Sequence, residues 1–173
     1  MPAVTARQAA VSALVKVNTQ GAYSNLVLNE TLKKSGLSPA DSSFASRLFY
    51  GTLERRLTLD HVINHYSKKP VSKLTPAVAE ILRTAVYQLL YLDSVPDSAA
   101  VNEAVVLTKK MKAASASGFV NAVLRAFLRD GKELPPIKGG QPRQREVRYS
   151  CPQWIIRSLQ QSYGEQAAID FLE

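Results

Sequence analysis

The two histidines of this 173-residue chain have a spacing that metal ligands often show. His61 and His65 stand at i and i+4, which places both imidazoles on one face of a helix. A zinc protease with the His-Glu-x-x-His pattern needs a glutamate after the first histidine, and Val62 occupies that position. There is no third histidine, and Cys151 is the single cysteine, so a usual zinc ligand set is incomplete. The pair is interpreted as solvated or partly packed side chains, and no metal is expected.

Cys151 is also the single thiol that could act as a nucleophile. A reactive thiolate needs a base or a positive environment, and both histidines lie far away in sequence. Gly139 and Gly140 do not form the G-x-G-x-x-G pattern of a nucleotide-binding loop, and no pair of carboxylates is spaced for acid–base chemistry. We therefore expect no catalytic residues and no cofactor-binding residues in this chain, with Cys151 as a small buried or cap-adjacent residue.

The charge of the chain is more informative than these candidates. The sequence has 22 Lys and Arg against 14 Asp and Glu, a net charge of +8 and a pI near 9.7. Residues 1–134 hold 17 of the basic and 10 of the acidic residues, so the excess belongs to this part. A basic domain is a candidate for binding nucleic acid or an anionic membrane. Lysines are concentrated in two clusters, which are Lys68, Lys69 and Lys73, and Lys109, Lys110 and Lys112.

The composition is that of an ordinary soluble globular protein, with 46% apolar and 21% charged residues. No run of about 18 apolar residues is present, so a membrane-spanning helix is not expected. The N-terminal residues MPAVTARQAA have no apolar core typical of a secretory signal. A single cysteine suits a reducing compartment. The expected location is the cytoplasm.

Helical periodicity dominates the first 133 residues, and no alternating strand pattern extends beyond a few positions. Ser38-Pro39 and Thr75-Pro76 each place an N-cap residue before a proline, which is typical of a helix start. The first of these helices is expected to continue to Tyr66. The helix after Thr75 keeps i, i+3, i+4 apolar spacing throughout and is predicted to be the most buried one. We expect an all-α bundle of about seven helices over residues 1–133.

The composition changes after this bundle. Residues 134–148 contain three prolines and two glycines with few apolar side chains, so a mobile or extended linker is expected there. Residues 149–173 are predicted to begin a new domain with a helix. Ser150 and Gln153 stand at the spacing of a capping box for that helix, and Trp154, Ile155 and Leu159 supply its apolar face.

Phe119 opens the last helix of the bundle, in the stretch SGFVNAVLRAF. At about 100° per residue, it lies roughly 110° from the centre of the apolar stripe that includes Val120 and Leu124. An aromatic residue in this position either packs against the segment before the helix or is presented to a partner. Arg125 and Arg129 lie one turn apart on the polar side of the same helix.

Three stretches occur in the order and at the spacing of the NusB fold: ARQAAVSALVKV, LRTAVYQLLYLDSVPDSAAVNEAVVLTKK and GFVNAVLRAF. Over about residues 5–130 the chain therefore resembles this all-helical, RNA-binding fold. The resemblance implies that Phe119 lies at the RNA-facing surface, with Arg7 of the first helix nearby. The residues expected to bind RNA are Arg7, Lys109, Lys110, Phe119, Asn121 and Arg125.

The segment RYSCPQWIIRSLQQSYGEQAAIDFLE resembles the start of the catalytic region in Sun/Fmu-type (RsmB) 16S rRNA cytosine-C5 methyltransferases. Its matching residues are Tyr149, Ser150, Pro152 and Trp154. The resemblance implies an RNA-binding N-terminal part whose partners are 16S rRNA and a C-terminal methyltransferase domain. That domain would bind S-adenosylmethionine and supply cysteine nucleophiles, and none of its motifs lies in residues 1–173.

Two other functions remain open at this point. The chain resembles a NusB-type transcription antitermination factor, which binds RNA together with a ribosomal protein. It is also compatible with an interaction module that docks on its own methyltransferase domain without contacting RNA.

Overall fold

The computed structural model describes residues 4–21 and 23–172, and within them it contains helices and no β-strand. The helices are α1 (Ala6–Gln20), α2 (Ser24–Ser35), α3 (Pro39–Glu54), α4 (Arg56–Tyr66), α5 (Pro76–Tyr91), α6 (Asp97–Lys110), α7 (Ser117–Arg129), α8 (Gln141–Tyr149), α9 (Gln153–Tyr163) and α10 (Glu165–Leu172). Two 3-10 turns, Val71–Lys73 and Ala114–Ala116, precede α5 and α7. The predicted all-α class is confirmed, and α1–α7 form the bundle.

The predicted starts of α3 and α5 are confirmed. Ser38 accepts a 3.2 Å hydrogen bond from the backbone N–H of Asp41, with Pro39 as the first helical residue. Pro76 is likewise the first residue of α5, although the side chain of its N-cap residue Thr75 makes no capping hydrogen bond. The expected continuation of α3 to Tyr66 is interrupted at Arg55, where the backbone leaves helical geometry (φ −100°, ψ 13°). Residues 39–66 thus form two helices, and the second can pack separately against α5.

Helix α5 is the centre of the bundle, as its periodicity predicts. All residues of 78–89 are buried, because α1, α3, α4, α6 and α7 all pack against this helix. Gly51 permits the approach of α3, since a Cβ atom at this position would lie 2.1 Å from Cζ of Tyr87. Side chains from α4 and α7, including Leu59 and Phe127, complete the core with no exposed surface.

Two charged residues are buried on the same central helix. Arg83 donates bonds of 2.7 and 3.1 Å to the two carboxylate oxygens of Asp60 on α4, and a further bond to Glu80. Asn18 on α1 donates to the same oxygen of Glu80 at 2.6 Å. This network ties α1, α4 and α5 together and pairs the buried Arg83 with two carboxylates. Oε2 of Glu80 is buried without a hydrogen-bond partner among the described residues.

The expectation of a mobile or extended linker over residues 134–148 is wrong for its second half. Residues 134–140 lack helix, but Gln141–Tyr149 forms α8. Pro142 lies in the first turn, where the missing N–H costs nothing. Val147 is fully buried, and its carbonyl accepts a hydrogen bond from Thr58 of α4. Docking on α4 therefore stabilises a segment that is too polar to form a helix by its periodicity alone. The domain boundaries at 133/134 and 148/149 stay a prediction.

The predicted capping box at Ser150 is also wrong. Ser150 ends α8 in the left-handed conformation (φ 50°), and α9 begins after Pro152. The hydroxyl of Ser150 instead accepts a 3.0 Å hydrogen bond from the backbone N–H of Leu57. The Ser150 side chain therefore caps α4 and not α9.

Candidate nucleic-acid interface

An open groove of about 820 Å³ lies at one end of the bundle, beside the first turn of α5. Its walls come from α1, from the α4–α5 connection and from the α6–α7 connection. The lining residues are Val15, Lys68, Lys69, Lys73, Leu74, Thr75, Pro76, Ala77, Val78, Met111, Lys112, Ala113, Ser115, Ala116 and Phe119.

The interior of the groove is apolar because it continues from the hydrophobic core. Val15, Leu74 and Met111 are half-buried and pack against that core, and so does Phe119. The buried face of α7 consists of Val120, Val123, Leu124 and Phe127, as the periodicity predicts. Phe119 lies off this face, packs half-buried against the hydrophobic core and also lines the groove. Its presentation to a partner stays a prediction.

The rim of the groove is basic. Lys68, Lys69 and Lys73 come from one connection and Lys112 from the other, and all four side chains are exposed. Lys112 adopts the left-handed conformation (φ 59°) just after α6, where a 2.7 Å bond from the N–H of Ala113 to the carbonyl of Thr108 closes the helix end. None of the described residues that line the groove carries a carboxylate, so its electrostatic potential favours anions.

The two lysine clusters meet for a topological reason. In an up-and-down arrangement, connections two helices apart lie at the same end of a bundle. The α4–α5 and α6–α7 connections are related in this way, with α5 and α6 packed against each other. The sequence predictions omitted Lys68, Lys69, Lys73 and Lys112 from the RNA-binding residues. The signal that would have found them is that each cluster lies at or after the end of a helix on the same side of the bundle.

Of the six predicted RNA-binding residues, Phe119 alone lines this groove. Lys109 and Lys110 are exposed at the end of α6, close in sequence to Lys112. Asn121 and Arg125 are exposed on α7, where Nε of Arg125 lies 3.5 Å from Oδ1 of Asn121. These four residues flank the groove in sequence, and their role in binding stays a prediction.

Arg7 lies elsewhere, and the expectation that it stands near Phe119 is wrong. Its Nε donates a 2.8 Å hydrogen bond to Oε1 of Gln88, and its guanidinium lies 5.2 Å from the ring centre of Phe44. Burial lowers the pKa of Arg7, while the nearby Glu103 acts in the opposite direction. Gln88 lies ten residues beyond the groove residue Val78, about 15 Å along α5. The half-buried Arg7 thus packs at the far end of the bundle.

The other chemical candidates of the sequence are Cys151 and the histidine pair. Burial, with a smaller contribution from Glu146, raises the pKa of the Cys151 thiol, which disfavours the thiolate. In the described part of the chain, no three His, Cys, Asp or Glu side chains come together as a metal site. No helix of that part is long and apolar enough to cross a membrane.

The part of the chain that forms helices α1–α7 matches a known protein family. The NusB family matches residues 4–129. This chain belongs to the NusB family. The resemblance deduced from the sequence is thereby confirmed, and the family match ends at the last residue of α7.

Relatives of this NusB-family chain include longer proteins. It is 34% identical over 168 residues to the "Probable ribosomal RNA small subunit methyltransferase B" of Bacillus subtilis (strain 168), covering 97% of this chain and 37% of the relative. The chain thus spans little more than a third of the length of that relative.

Two solved structures share the fold. One is the complex of "Antitermination Factors NusB and NusE" with dsRNA, with a TM-score of 0.67 and 22% identity, covering 72% of this chain and 94% of the solved one. The other is PH0851, with a TM-score of 0.71 and 18% identity, covering 95% of this chain and 37% of the solved one. The second similarity extends over more of this chain than the bundle alone.

Proposed function

We propose that this chain is the RNA-binding N-terminal part of an S-adenosylmethionine-dependent 16S rRNA cytosine-C5 methyltransferase that acts in the cytoplasm. The observation that carries the proposal is the groove, which combines the aromatic ring of Phe119 with a rim of four lysines. Aromatic rings stack on unpaired bases, and lysines bind the phosphates between them. Both kinds of contact lie within one cavity, as a strand of RNA requires.

The methyltransferase assignment is supported by the share of this chain that its relatives match. The Bacillus subtilis relative matches 97% of this chain, including most of α8–α10, whereas the NusB of the dsRNA complex covers 72%. Helices α9 and α10 also expose large aromatic side chains, with Trp154, Tyr163 and Phe171 at 70, 71 and 75% exposure. The longer relatives have room for a catalytic domain, and such a domain would cover part of this surface. That domain would hold S-adenosylmethionine and the nucleophile, while residues 1–173 would bind and orient the RNA.

Phe119→Ala tests the groove directly. We expect the affinity for a 16S rRNA fragment to fall roughly ten-fold, because one stacked base contributes about 1–3 kcal/mol. The melting midpoint should shift only slightly. Tyr23→Ala is the control, since Tyr23 is 79% exposed and does not line the groove. If the midpoint instead collapses and the residual folded protein binds RNA normally, Phe119 serves only the core and the groove is not the binding site.

The lysine rim is tested through salt dependence. Replacing Lys68, Lys69 and Lys73 with alanine removes up to three phosphate contacts, and single-stranded contacts each contribute about 0.7 to the slope of log affinity against log salt concentration. This slope is negative, and its magnitude should therefore decrease by about 2. An unchanged slope would place the phosphates elsewhere. Absence of any RNA binding by the wild-type chain would favour the third possibility, a module that only docks on its own catalytic domain.

The alternative of a free-standing antitermination factor rests on the NusB–NusE complex with dsRNA. The reading frame beyond residue 173 separates the two functions, because an encoded S-adenosylmethionine-binding domain supports the methyltransferase and a stop codon supports the free factor. Calorimetric titration of residues 1–173 with S-adenosylmethionine should show no binding. Micromolar binding would overturn the assignment of the cofactor to a separate domain.

A further inference from the structure

A second basic cavity, of about 250 Å³, lies between α4 and the segment that leads into α8. Both histidines line it. The described residues that line it are His61, Asn64, His65, Pro136, Ile137, Lys138 and Arg143. Helix α4 supplies three of these side chains, and residues 136–143 supply the other four. The cavity therefore exists only because the segment before α8 folds back onto α4.

His61 holds that segment in place. Its Nε2 lies 2.9 Å from the carbonyl oxygen of Pro135. Because a carbonyl only accepts hydrogen bonds, Nε2 must carry the proton. This contact uses one ring nitrogen and leaves Nδ1 for another partner. Asn64 accepts a 2.8 Å bond from the N–H of Val71 through Oδ1, which leaves the amide nitrogen of Asn64 as a donor.

The charges around the cavity select the ligand. Lys138 and Arg143 are exposed at its edge, and the lining includes no carboxylate. Nη1 of Arg143 is paired with Glu146 at 3.0 Å, so its Nε and Nη2 groups remain as donors. Two permanent positive charges repel a metal cation, although the histidine spacing alone suits one. Arginine and lysine donors together bind a phosphate group well.

The cavity and the groove take residues from neighbouring parts of the chain, His65 from the end of α4 and Lys68 from the α4–α5 connection. His65 precedes Lys68 by three residues, so their Cα atoms are at most about 11 Å apart. The bond from Val71 to Asn64 fixes the 3-10 turn that carries Lys73 against α4. A strand of a few nucleotides that leaves the groove over Lys68 would thus reach the histidines.

We infer that this cavity binds a backbone phosphodiester of the same RNA strand that occupies the groove. The inference rests on the proposed function. It adds a contact from Lys138 and Arg143, which lie beyond the NusB match at residues 4–129. The segment before α8 is therefore part of the RNA-binding surface and not only a connection between domains.

The chain has only two histidines, so their imidazole C–H signals in NMR report on this cavity without labelling. In a phosphate-free buffer, addition of inorganic phosphate should shift both signals in the wild-type chain and in Phe119→Ala. The response should be lost in Lys138→Gln/Arg143→Gln and retained in Lys33→Gln, which changes an exposed lysine on α2. Signals that do not move, or that move equally in the double variant, would overturn the inference.

The same variants separate RNA from free phosphate. The 16S rRNA fragment should shift both histidine signals, and the double variant should bind it about ten-fold more weakly, the equivalent of one charged contact. If phosphate moves the signals but bound RNA does not, the cavity is a site for a free phosphate group and the RNA assignment is wrong. If the histidines respond to RNA while Phe119→Ala binds it normally, the cavity stands and the groove proposal fails.

Discussion

The backbone N–H of Leu57 donates a 3.0 Å hydrogen bond to the hydroxyl of Ser150, 93 residues further along the chain. Leu57 is the second residue of α4, and the first N–H groups of a helix have no carbonyl acceptor within it. Ser150 therefore caps α4 from the end of α8. Beside this contact, Thr58 donates to the carbonyl of Val147. Two hydrogen bonds thus join α8, which lies beyond the NusB match, to the start of α4.

Ser150→Ala should loosen α8 from the bundle. The lost cap costs about 1 kcal/mol, so amide hydrogen exchange in residues 141–149 should accelerate about five-fold, while α5 should remain protected. Ser158→Ala, on the exposed side of α9, is the control. Equal exchange rates in Ser150→Ala and the wild type would show that the bond contributes no stability.

Gly51→Ala should destabilise the bundle, because the new methyl group would overlap the buried ring of Tyr87. Overpacking of this kind costs about 1–3 kcal/mol, to be measured by urea denaturation. Gly118→Ala is a matched control, since a methyl group there meets no atom within 4 Å. Equal stability of the two variants would mean that α3 moves away from α5 at little cost.

Tyr66 should titrate as an unusually weak acid. Burial, followed by the hydrogen bond and negative charge of Asp130, raises the pKa of Tyr66 to about 12, and the Tyr66 hydroxyl lies 2.7 Å from Oδ2 of Asp130. An ordinary tyrosine has a pKa near 10. The neutral phenol thus stabilises the fold below pH 10, and this contribution is lost as the pH rises through 12.

Absorbance at 295 nm measures this titration, with Tyr66→Phe subtracted to isolate Tyr66 from the other six tyrosines. Asp130→Asn should move the midpoint towards lower pH, because it removes the negative charge. A midpoint near pH 10 in the wild type would contradict the burial of this hydroxyl.

Cys151 should react slowly with disulfide reagents at pH 7.5. Burial and the carboxylate of Glu146 raise its pKa, so less thiolate is present than in an exposed peptide thiol. Glu146→Gln should accelerate the reaction modestly, and unfolding in guanidinium chloride should restore the rate of a free thiol. A folded chain that reacts as fast as the unfolded one would indicate an accessible thiolate.

The bundle itself was predictable from local patterns. The apolar periodicity of α5 predicted the helix that is buried on all sides, and Ser38-Pro39 and Thr75-Pro76 predicted two helix starts that the structure confirms. Periodicity and capping act within a few residues of the chain, so they are visible without knowledge of the partners. The resemblance to the NusB fold was visible for a related reason, since its motifs are continuous stretches.

The errors share a physical cause. Residues 141–149 form a helix because Val147 and Ser150 find partners on α4, and Pro142, which resembles Pro39 and Pro76 in its position, was the overlooked start signal. Arg7 packs against Gln88 and Phe44 rather than near Phe119. Each of these outcomes depends on a contact made by residues far apart in the chain.

The sequence by itself determined the helical class, the buried faces of α5 and α7, the excess of positive charge and the family. Tertiary structure alone decided which charges act together. Lys68 and Lys112 share a groove with Phe119 because two connections lie at one end of the bundle. His61 and Lys138 line one cavity because a polar segment folds back onto α4. Secondary structure follows from side-chain patterns within a few residues of the chain. A binding surface, in contrast, forms only when the packed core sets the positions of distant segments.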